Sequence, residues 1–443
     1  METIKEWILE NNITEVECLV PDMTGNARGK IIPANKFLKE SGMKLPESLF
    51  LQTITGEWPD DESMIDPTDS DMNIKPDASS IRFVPWAKEP TAQIIHDCYE
   101  RNDELVEIAP RSVLKRVLKL YKDKGLTPVV APELEFYLVK QNLDEDFPLE
   151  PPIGRNGRSE TGGQSYSIDA LNEFDPLFED MFDYCDAQEL EVDTLIHESG
   201  PAQMEINFAH GDAIKCADQA FLFKRTVRET ALKHGLYATF MANPMENAPG
   251  SSMHIHQSVL DKNGHNIFIN ADETDSDTFL HYIGGLQKYT PASIAFLAPN
   301  VNSYRRLIFG ESTPSNMEWG EDNRSVGIRV PSSEPVARRV ENRFAGSDVN
   351  PYLAMAVTLA CGYLGMVNKL KPTEKTTKDH SEDPNTLPHN LEDALTKLEA
   401  CDELIEVLGA RFVATYVSMK RKEYQTFFQV ISSWEREYLL LNV

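Results

Sequence analysis

The sequence predicts an α+β protein in which a small, sheet-rich region precedes a larger mixed region. Two observations support this prediction. Short β-prone stretches dominate residues 1–105, and from residue 110 onwards amphipathic helices and strand-like segments follow one another without strict alternation. Strict alternation would instead indicate a parallel sheet covered by helices. The 443 residues are 41 % hydrophobic and 26 % charged, a balance that allows full cores in two or three domains.

The first region is predicted to form a small sheet domain of its own. Its β-prone stretches are residues 16–20, 49–58, 81–84 and 92–95, and a short helix is predicted at 34–41. Proline and glycine in segment 21–25 indicate a turn after the first strand. Acidic and polar residues dominate 62–77, which is therefore predicted to be a loop.

The second region begins with a clear helix. Val113, Val117 and Tyr121 recur at helical spacing, and Gly125 is a natural stop. The helices predicted for this region are 111–124, 177–190, 213–234 and 351–370. The predicted strands are 127–140, 191–198, 202–208, 237–243 and 253–260. The predicted loops, rich in polar residues or in glycine and proline, are 148–165 and 371–390.

Charge and composition argue against several classes of protein. With 43 Lys and Arg against 71 Asp and Glu, the formal net charge is −28, and so acidic a chain would repel nucleic acid. The first residues show no basic and apolar targeting segment. The most apolar stretch, 351–367, is too short to span a bilayer, and Asn350-Pro351 is typical of a helix start. The six scattered cysteines are typical of reduced core thiols, so we expect a cytoplasmic protein without a membrane partner.

Two carboxylates share one face of a predicted strand. Glu133 and Glu135 alternate with Leu134 and Phe136, so both acidic side chains point away from the apolar ones. Two carboxylates so placed repel each other unless a cation lies between them. A strand face open to solvent explains this pair equally well, so the pair alone does not establish a metal site.

Further candidate ligands come from a turn and from a later strand. The strand ending at Glu198 returns through 199–201, which brings Glu205 near Glu198. His254 and His256 share one strand face; a lone strand histidine is usually structural, but a pair at this spacing is a better ligand candidate. Carboxylates combined with one imidazole suit Mg²⁺ or Mn²⁺.

Arginines cluster in one segment of this acidic chain. Between residues 304 and 344 lie Arg305, Arg306, Arg324, Arg329, Arg338, Arg339 and Arg343, with Glu341 among them. Arginine is well suited to bidentate binding of phosphate or carboxylate. Pairing with the abundant acids is a plausible alternative for Arg305 and Arg338, but less so for the whole group. Metal ligands with arginines indicate phosphoryl transfer, although the chain has no P-loop motif.

These segments, in this order, resemble the glutamine synthetase family over nearly the whole chain. The most specific matches are Pro132-Glu-Leu-Glu-Phe136, His197-Glu198 with Glu205, Gly250-Ser-Ser-Met-His-Ile-His256, and residues 302–307, 323–329 and 337–344. The resemblance implies a β-grasp domain (1–105) and a catalytic domain (106–443) built on a curved antiparallel sheet with flanking helices. It also implies a homo-oligomer of two stacked rings, commonly a dodecamer, with active sites between subunits.

The resemblance assigns roles to individual residues, which are expectations at this point. The residues expected to hold one divalent cation are Glu135, Glu198 and Glu205. Those expected to hold a second are Glu133, His254 and Glu341. The expected glutamate-binding residues are Gly250, Arg306 and Arg343, and the expected ATP-side residues are His256, Ser258, Arg329 and Arg339. The arginines expected to act on the transferred phosphate in catalysis are Arg324 and Arg329.

Two departures from the family pattern bear on the substrates. The resemblance implies that ATP phosphorylates the γ-carboxylate of L-glutamate and that an amine nitrogen then displaces phosphate. Leu51 stands where ammonium-using members have an aspartate. Ser312, with Glu311 beside it, stands where they have the glutamate that takes the ammonium proton. We therefore expect a larger amine acceptor, as in the γ-glutamylpolyamine or γ-glutamylputrescine synthetase branch.

Two other interpretations stay open. An ordinary glutamine synthetase could use Glu57 or Glu311 in place of the missing acidic groups. A catalytically silent homologue could act as a binding or structural protein. The second interpretation is weaker, because such a protein has no need to keep the complete set of metal-ligand positions.

Overall fold

The chain is described by a computed structural model over residues 2–40, 43–61, 64, 68–309, 313–314, 316–379 and 386–443. Over these residues it forms two β-sheets with helices packed against them. The predicted α+β class is therefore confirmed. The two sheets share one continuous hydrophobic core, which includes Ile74 and Ile95 of the first region and Val113 and Leu359 of the second.

The smaller sheet is built from the first hundred residues. Its described strands are β1 (Glu15–Pro21), β2 (Ala27–Pro33), β3 (Met43–Pro46), β4 (Asp71–Pro76), β5 (Arg82–Phe83) and β6 (Thr91–Tyr99). Their order is β2-β1-β6-β4-β3, with β5 on β6, and β1 runs parallel to β6. Helix α1 (Glu2–Glu10) covers one face, because Ile4 and Ile8 pack with Val16 and Ile94 in a small second core.

The strand predicted for residues 49–58 is wrong. A 3₁₀ helix (Glu47–Phe50) is followed there by a tight turn, in which the Gly56 amide donates to the Thr53 carbonyl at 3.0 Å. Gly56 has a φ of +87°, which glycine adopts without strain. A glycine inside the β-prone stretch therefore marks a turn. The predicted acidic loop 62–77 is also partly wrong, because β4 occupies its end.

The larger sheet has β7 (Thr127–Lys140) at its centre. The other described strands are β8 (Val192–His197), β9 (Gln203–Phe208), β10 (Gly211–Asp212), β11 (Leu236–Thr239), β12 (Met253–Leu260), β13 (Trp319–Glu321), β14 (Ile328–Val330) and β15 (Val340–Asn342). The order is β13-β14-β15-β12-β7-β9-β8, with β10 and β11 also on β7. Neighbours are antiparallel except β13 and β14. The strands predicted for this region are present, although 237–243 ends early at Thr239.

Helices pack against both sheets. Besides α1, the described helices are α2 (Ala34–Phe37), α3 (Pro110–Asp123), α4 (Ile168–Asn172), α5 (Asp175–Ala187), α6 (Ala213–Lys233), α7 (Asp277–Leu297), α8 (Ser303–Phe309), α9 (Pro351–Asn368), α10 (Leu391–Glu399), α11 (Asp402–Leu408), α12 (Ala410–Phe428) and α13 (Ser433–Tyr438). Helices α3, α5, α6 and α9 confirm the predicted helices of the second region.

Helix α7 is the largest omission from the sequence prediction. Gly284, Gly285 and Pro291 interrupt its helical pattern. The structure explains the glycines, because a Cβ on Gly285 would lie 2.2 Å from the Cys361 carbonyl oxygen of α9. The close crossing of α7 and α9 therefore requires glycine. Glycine is also the residue type that makes this helix hard to recognise in the sequence.

Helix α9 lies in the centre of the protein. As predicted, Asn350 caps its first turn, since its side chain accepts hydrogen bonds from the Tyr352 and Leu353 amides. By length and composition α9 could cross a membrane, but 78 % of the stretch is buried inside the protein, which is typical of a core helix. The six cysteines are free; five are buried and Cys401 is half-buried.

A buried arginine joins the two regions. Arg111 at the start of α3 donates to Asp77 (2.7 Å) and Asp97 (2.6 Å) from the smaller sheet and to Asp218 of α6 (2.8 Å). The Arg111 side chain is only 3 % exposed, so these ion pairs are largely shielded from water. The domain boundary expected between residues 105 and 106 stays a prediction. The ion pairs of Arg111 connect residues on the two sides of it.

We expect Arg111→Met to destabilise the protein by about 3–5 kcal/mol, because it leaves buried aspartates without their main cation. The measurement is the midpoint of thermal unfolding followed by circular dichroism. Lys119→Met on the same helix is the matched control, because Lys119 forms an exposed pair with Asp123 at 2.6 Å. Such a pair contributes at most about 1 kcal/mol. Equal midpoints for the two variants would show that Arg111 does not hold the regions together.

Candidate active site

A cavity of about 940 Å³ lies over one face of the larger sheet. Among the acidic and imidazole groups that line it, those on the strands around β7 and on the turn after β8 are Glu133, Glu135, Glu198, Glu205 and His254. Strand register brings them together, because Glu133 lies opposite His254 and Glu135 lies opposite Glu205. Side chains alternate along β7, so Leu134 points away from the cavity into the core. The predicted clustering of carboxylates is thus present.

Glu341 of β15 lies beside this group and is 1 % exposed. Its carboxylate is 3.6 Å from Nδ1 of His254, while Glu133 is 3.3 Å from His254 and 2.7 Å from Nε2 of His256. Two sets of side chains place candidate ligand atoms within 4.8 Å of one another: Glu133, Glu205 and His254, and Glu133, His256 and Glu341. The structure therefore adds His256, expected on the ATP side, to the residues able to reach a cation.

Burial and neighbouring negative charges raise the pKa values of several carboxyl groups in the cluster. Burial, and then the charge of Glu198, raise the pKa of Glu135 to about 8. Burial, and then the neighbouring carboxylates, raise the pKa of Glu205 to about 9. Burial also raises the pKa of Glu198. Close carboxyl groups in a buried site hold protons until a cation neutralises them.

Arginine and histidine side chains keep the other half of the cluster ionised. Burial alone would raise the pKa of Glu341, but the charges of Arg343, His254 and His256 lower it to about 2. Arg329 and Arg343 donate to Glu341 at 2.6 and 2.7 Å. Glu133 is half-buried, and although burial alone would raise its pKa, hydrogen bonds from His254 and His256 lower it. The carboxyl groups of the cluster therefore differ in charge: Glu133 and Glu341 are ionised, whereas Glu135 and Glu205 hold protons near neutral pH.

The donor set fits Mg²⁺ or Mn²⁺. These ions prefer carboxylate oxygens and retained water, and Mn²⁺ also accepts imidazole. Arg324, Arg329 and Arg343 line the same cavity, so one space offers both cation ligands and groups that bind phosphate or carboxylate oxygens. Such an arrangement can stabilise the charge on a transferred phosphoryl group.

The loop before β12 forms one end of the cavity. Gly250 lines it, and a Cβ there would lie 2.7 Å from the Ala242 carbonyl oxygen, so only glycine fits. Gln203, absent from the predicted site, donates to the Gly250 carbonyl at 3.0 Å and to Glu135 at 3.2 Å. It shares a face of β9 with Glu205, and this alternation is the signal that could have identified it.

Arg306, expected to bind glutamate, lies behind the cavity wall. It is 1 % exposed and donates to the carbonyls of Arg343 (3.0 Å) and Phe344 (2.9 Å) and to the Ser252 hydroxyl (2.8 Å). Burial lowers its pKa to about 10. Of the two expected glutamate-binding arginines, only Arg343 lines the cavity, and direct contact of Arg306 with glutamate stays a prediction.

The remaining ATP-side residues lie farther along β12. His256 pairs with Ala131, and Ser258 with Val129, in successive rows beyond the His254–Glu133 row. Arg339, just before β15, donates to Nδ1 of His256 at 3.3 Å. His256, Ser258 and Arg339 therefore extend the site in the direction away from Gly250.

Of the residues discussed for the ammonium pocket, the two that the structure describes, Leu51 and Glu57, do not line this cavity. Leu51 is 1 % exposed in the core. The Glu57 carboxylate accepts hydrogen bonds from Thr426 (2.7 Å) and Thr55 (3.1 Å). Ser312 and Glu311 lie outside the described residues. Arg305 and Arg338 also do not line the cavity. Arg338 donates to Asp275, which agrees with the alternative interpretation that it pairs with an acidic residue, and Arg305 is exposed.

Comparisons with known proteins agree with this geometry. Residues 107–439 match the family model for the glutamine synthetase catalytic domain. Gamma-glutamylputrescine synthetase PuuA of Escherichia coli (strain K12) is 36 % identical over 440 residues, which cover 97 % of this chain and 92 % of the relative. A glutamine synthetase of Methanocaldococcus jannaschii is 33 % identical, with 99 % and 98 % covered. Glutamate–isopropylamine ligase of Pseudomonas sp is 29 % identical, with 98 % and 96 % covered.

A solved structure shows the same fold. Apo GmaS without ligand matches with a TM-score of 0.84 at 28 % sequence identity, and the match covers 100 % of both chains. The chain belongs to the glutamine synthetase family of ATP-dependent ligases, which form a C–N bond between glutamate and ammonia or an amine.

Proposed function

We propose that this enzyme joins the γ-carboxylate of L-glutamate to a primary amine larger than ammonia, with a polyamine such as putrescine as the favoured acceptor. The observation that carries the proposal is the juxtaposition, in one cavity, of a carboxylate–imidazole cluster with Arg324, Arg329 and Arg343. Two relatives that span nearly the whole chain are named for alkylamine acceptors, putrescine and isopropylamine.

The proposed reaction has two steps. An oxygen of the glutamate γ-carboxylate attacks the γ-phosphorus of ATP, ADP leaves, and γ-glutamyl phosphate forms. The amine nitrogen then attacks the carbonyl carbon of this acyl phosphate, the bond to the phosphate oxygen breaks, phosphate leaves, and the nitrogen loses a proton to give the amide. We assign Arg324 and Arg329 to the phosphoryl oxygens and Arg343, with Gly250 and Arg306, to substrate glutamate. We assign His256, Ser258 and Arg339, together with Arg329, to ATP.

We propose two divalent cations, Mg²⁺ or Mn²⁺, per site. The first is assigned to Glu135, Glu198 and Glu205, and the second to Glu133, His254 and Glu341, with His256 in reach of the second. When bound, such ions neutralise charge on the transferred phosphoryl group. The uneven pKa values support two different sites, because only the Glu135–Glu205 side depends on an added cation to stay ionised near neutral pH.

The family likeness also supports a proposal about the assembly and its surroundings. We propose a cytoplasmic homo-oligomer of two stacked rings, a dodecamer, that has no nucleic-acid or membrane partner. We also propose domains at 1–105 and 106–443. The boundary falls between the end of β6 at Tyr99 and the start of α3 at Pro110, which supports this division.

An amine panel at fixed glutamate and ATP tests the acceptor. We expect kcat/KM for putrescine to exceed that for ammonium by about tenfold or more, because Leu51 offers no carboxylate at the position where ammonium-using members of the family have an aspartate. Phosphate release with ammonium, methylamine, isopropylamine and putrescine gives the comparison.

Two outcomes of the panel would favour the other interpretations. Equal or better turnover with ammonium would indicate an ordinary glutamine synthetase, and Glu311→Ala should then reduce ammonium use specifically. If no amine is used and calorimetry detects no binding of ATP with Mg²⁺, the chain is a catalytically silent homologue.

Glu205→Gln tests the metal cluster through stability as well as activity. We expect turnover to fall by about a hundredfold or more. The Glu205 pKa is raised from 4.5 to about 9 in the folded protein, so its stabilising protonated form is fully present below 4.5 and lost as pH rises through 9. The metal-free wild-type protein should therefore lose stability as pH rises from 4.5 to about 9. The Glu205→Gln variant, whose amide side chain does not ionise, should lose less.

Thermal midpoints in EDTA at about pH 6 and about pH 8.5 measure this effect, with a difference of about 2 °C or more expected between Glu205→Gln and wild type at the higher pH. Glu191→Gln is the control, because Glu191 forms an exposed pair with Lys215 at 2.7 Å. If the thermal midpoints of Glu205→Gln and wild type depend on pH in the same way, carboxylate crowding does not lower the stability of the metal-free protein.

A further inference from the structure

We infer that the hydroxyl of Ser252 binds the α-carboxylate of substrate glutamate and connects it to Arg306, which lies behind the cavity wall. The inference rests on the proposed function, since it concerns the glutamate that is joined to the amine. Ser252 is not among the residues expected to bind glutamate. Its role explains how a buried arginine can serve a substrate that it does not face.

Arg306 is a buried cation whose hydrogen-bond partners are neutral. Its side chain is 1 % exposed, and its guanidinium donates to the carbonyls of Arg343 and Phe344 and to the Ser252 hydroxyl. Among the described residues, no carboxylate accepts a hydrogen bond from it. A buried charge is costly unless an opposite charge lies nearby. The surroundings of Arg306 therefore suit an anion that the substrate supplies.

Ser252 lies between Arg306 and the cavity. It lines the cavity, whereas Arg306 does not. Ser252 directly precedes β12, and its side chain shares a face with His254, because side chains alternate and the intervening Met253 is buried in the core. The hydroxyl accepts a hydrogen bond from Nη2 of Arg306 at 2.8 Å. It therefore contacts the guanidinium on one side and faces the cavity on the other.

Backbone contacts hold Ser252 in this position. Its amide donates to the Glu135 carboxylate at 2.8 Å, and its carbonyl accepts from the Glu135 amide at 2.9 Å. Ser252 also forms a β-bridge with Gly346. These contacts use backbone groups of Ser252, so an alanine at this position would keep them. The hydroxyl can therefore be removed without loss of the strand pairing.

The Ser252 hydroxyl has a proton to offer to a ligand. A serine hydroxyl donates one hydrogen bond and can accept two. Its contact with Arg306 uses an acceptor position, and among the described residues no group accepts the hydroxyl proton. A carboxylate in the cavity can accept it in a charge-assisted hydrogen bond. The positive charge of Arg306 polarises the hydroxyl and strengthens this bond.

The two ends of glutamate are distinguished by the groups around them. Gly250, assigned to glutamate, packs against Arg306, since a Cβ on Gly250 would lie 2.6 Å from Cγ of Arg306. The γ-carboxylate must lie toward Arg324 and Arg329, which are assigned to the transferred phosphoryl group. The α-carboxylate is therefore the one that remains for Ser252. Because this carboxylate does not react, the contact should affect binding of glutamate rather than turnover.

Ser252→Ala is the decisive variant, because it removes the hydroxyl and keeps the Cβ. With the best acceptor of the amine panel, we expect KM for glutamate to rise about tenfold or more, as for the loss of a hydrogen bond to a charged group. The value of kcat should stay within about threefold, and KM for ATP and for the amine within about twofold. Ser293→Ala is the matched control and should change none of these constants, since Ser293 is a buried serine of α7 outside the cavity.

The outcomes separate this inference from the proposed function. If wild type joins glutamate to an amine and Ser252→Ala leaves KM for glutamate unchanged, the hydroxyl does not bind glutamate and the proposed function stands. If KM rises for all three substrates and the thermal midpoint falls well below that of Ser293→Ala, Ser252 has a structural role and the inference fails. A fall in kcat without a change in KM for glutamate would overturn the assignment to the α-carboxylate. If wild type does not use glutamate, the inference fails together with the proposed function.

Discussion

Repulsion among carboxylates on one face of the larger sheet governs the arrangement of the side chains around them. Glu341 is kept ionised by two arginines, Arg329 and Arg343, at hydrogen-bonding distance. Among the described residues, no arginine lies at hydrogen-bonding distance from Glu135 or Glu205; the Ser252 amide and the Gln203 side chain donate to Glu135. One side of the cluster is neutralised within the protein, and the other requires a cation from solution.

A stiff framework is needed to hold like charges together. The 14-residue strand β7 pairs with neighbours on both sides and carries Glu133 and Glu135 at adjacent outward positions. Behind the sheet, the close crossing of α7 and α9 fills the core, and Arg111 ties the smaller sheet to the helices. Close packing of buried side chains behind the sheet therefore stabilises the protein against repulsion between the carboxylates of the cavity.

Local patterns predicted the strands that carry the site better than the helices that pack behind them. Alternation along β7, β9 and β12 placed Glu133, Glu205 and His254 correctly on one face, because side-chain direction in a strand depends only on residue parity. Helix α7 escaped prediction because its glycines are required by a helix that lies distant in sequence. The position of Arg306 behind the cavity wall also depends on tertiary contacts that no local pattern encodes, since its guanidinium donates to the carbonyls of Arg343 and Phe344.

The buried Arg111 has a consequence for how the chain can be divided. Its ion pairs join Asp77 and Asp97, which precede the expected boundary at residues 105 and 106, to Asp218, which follows it. A fragment that ends at residue 105 would carry Asp77 and Asp97 without the Arg111 guanidinium. The two regions therefore complete each other's charge, and separating them would leave each part without a partner that the other supplies.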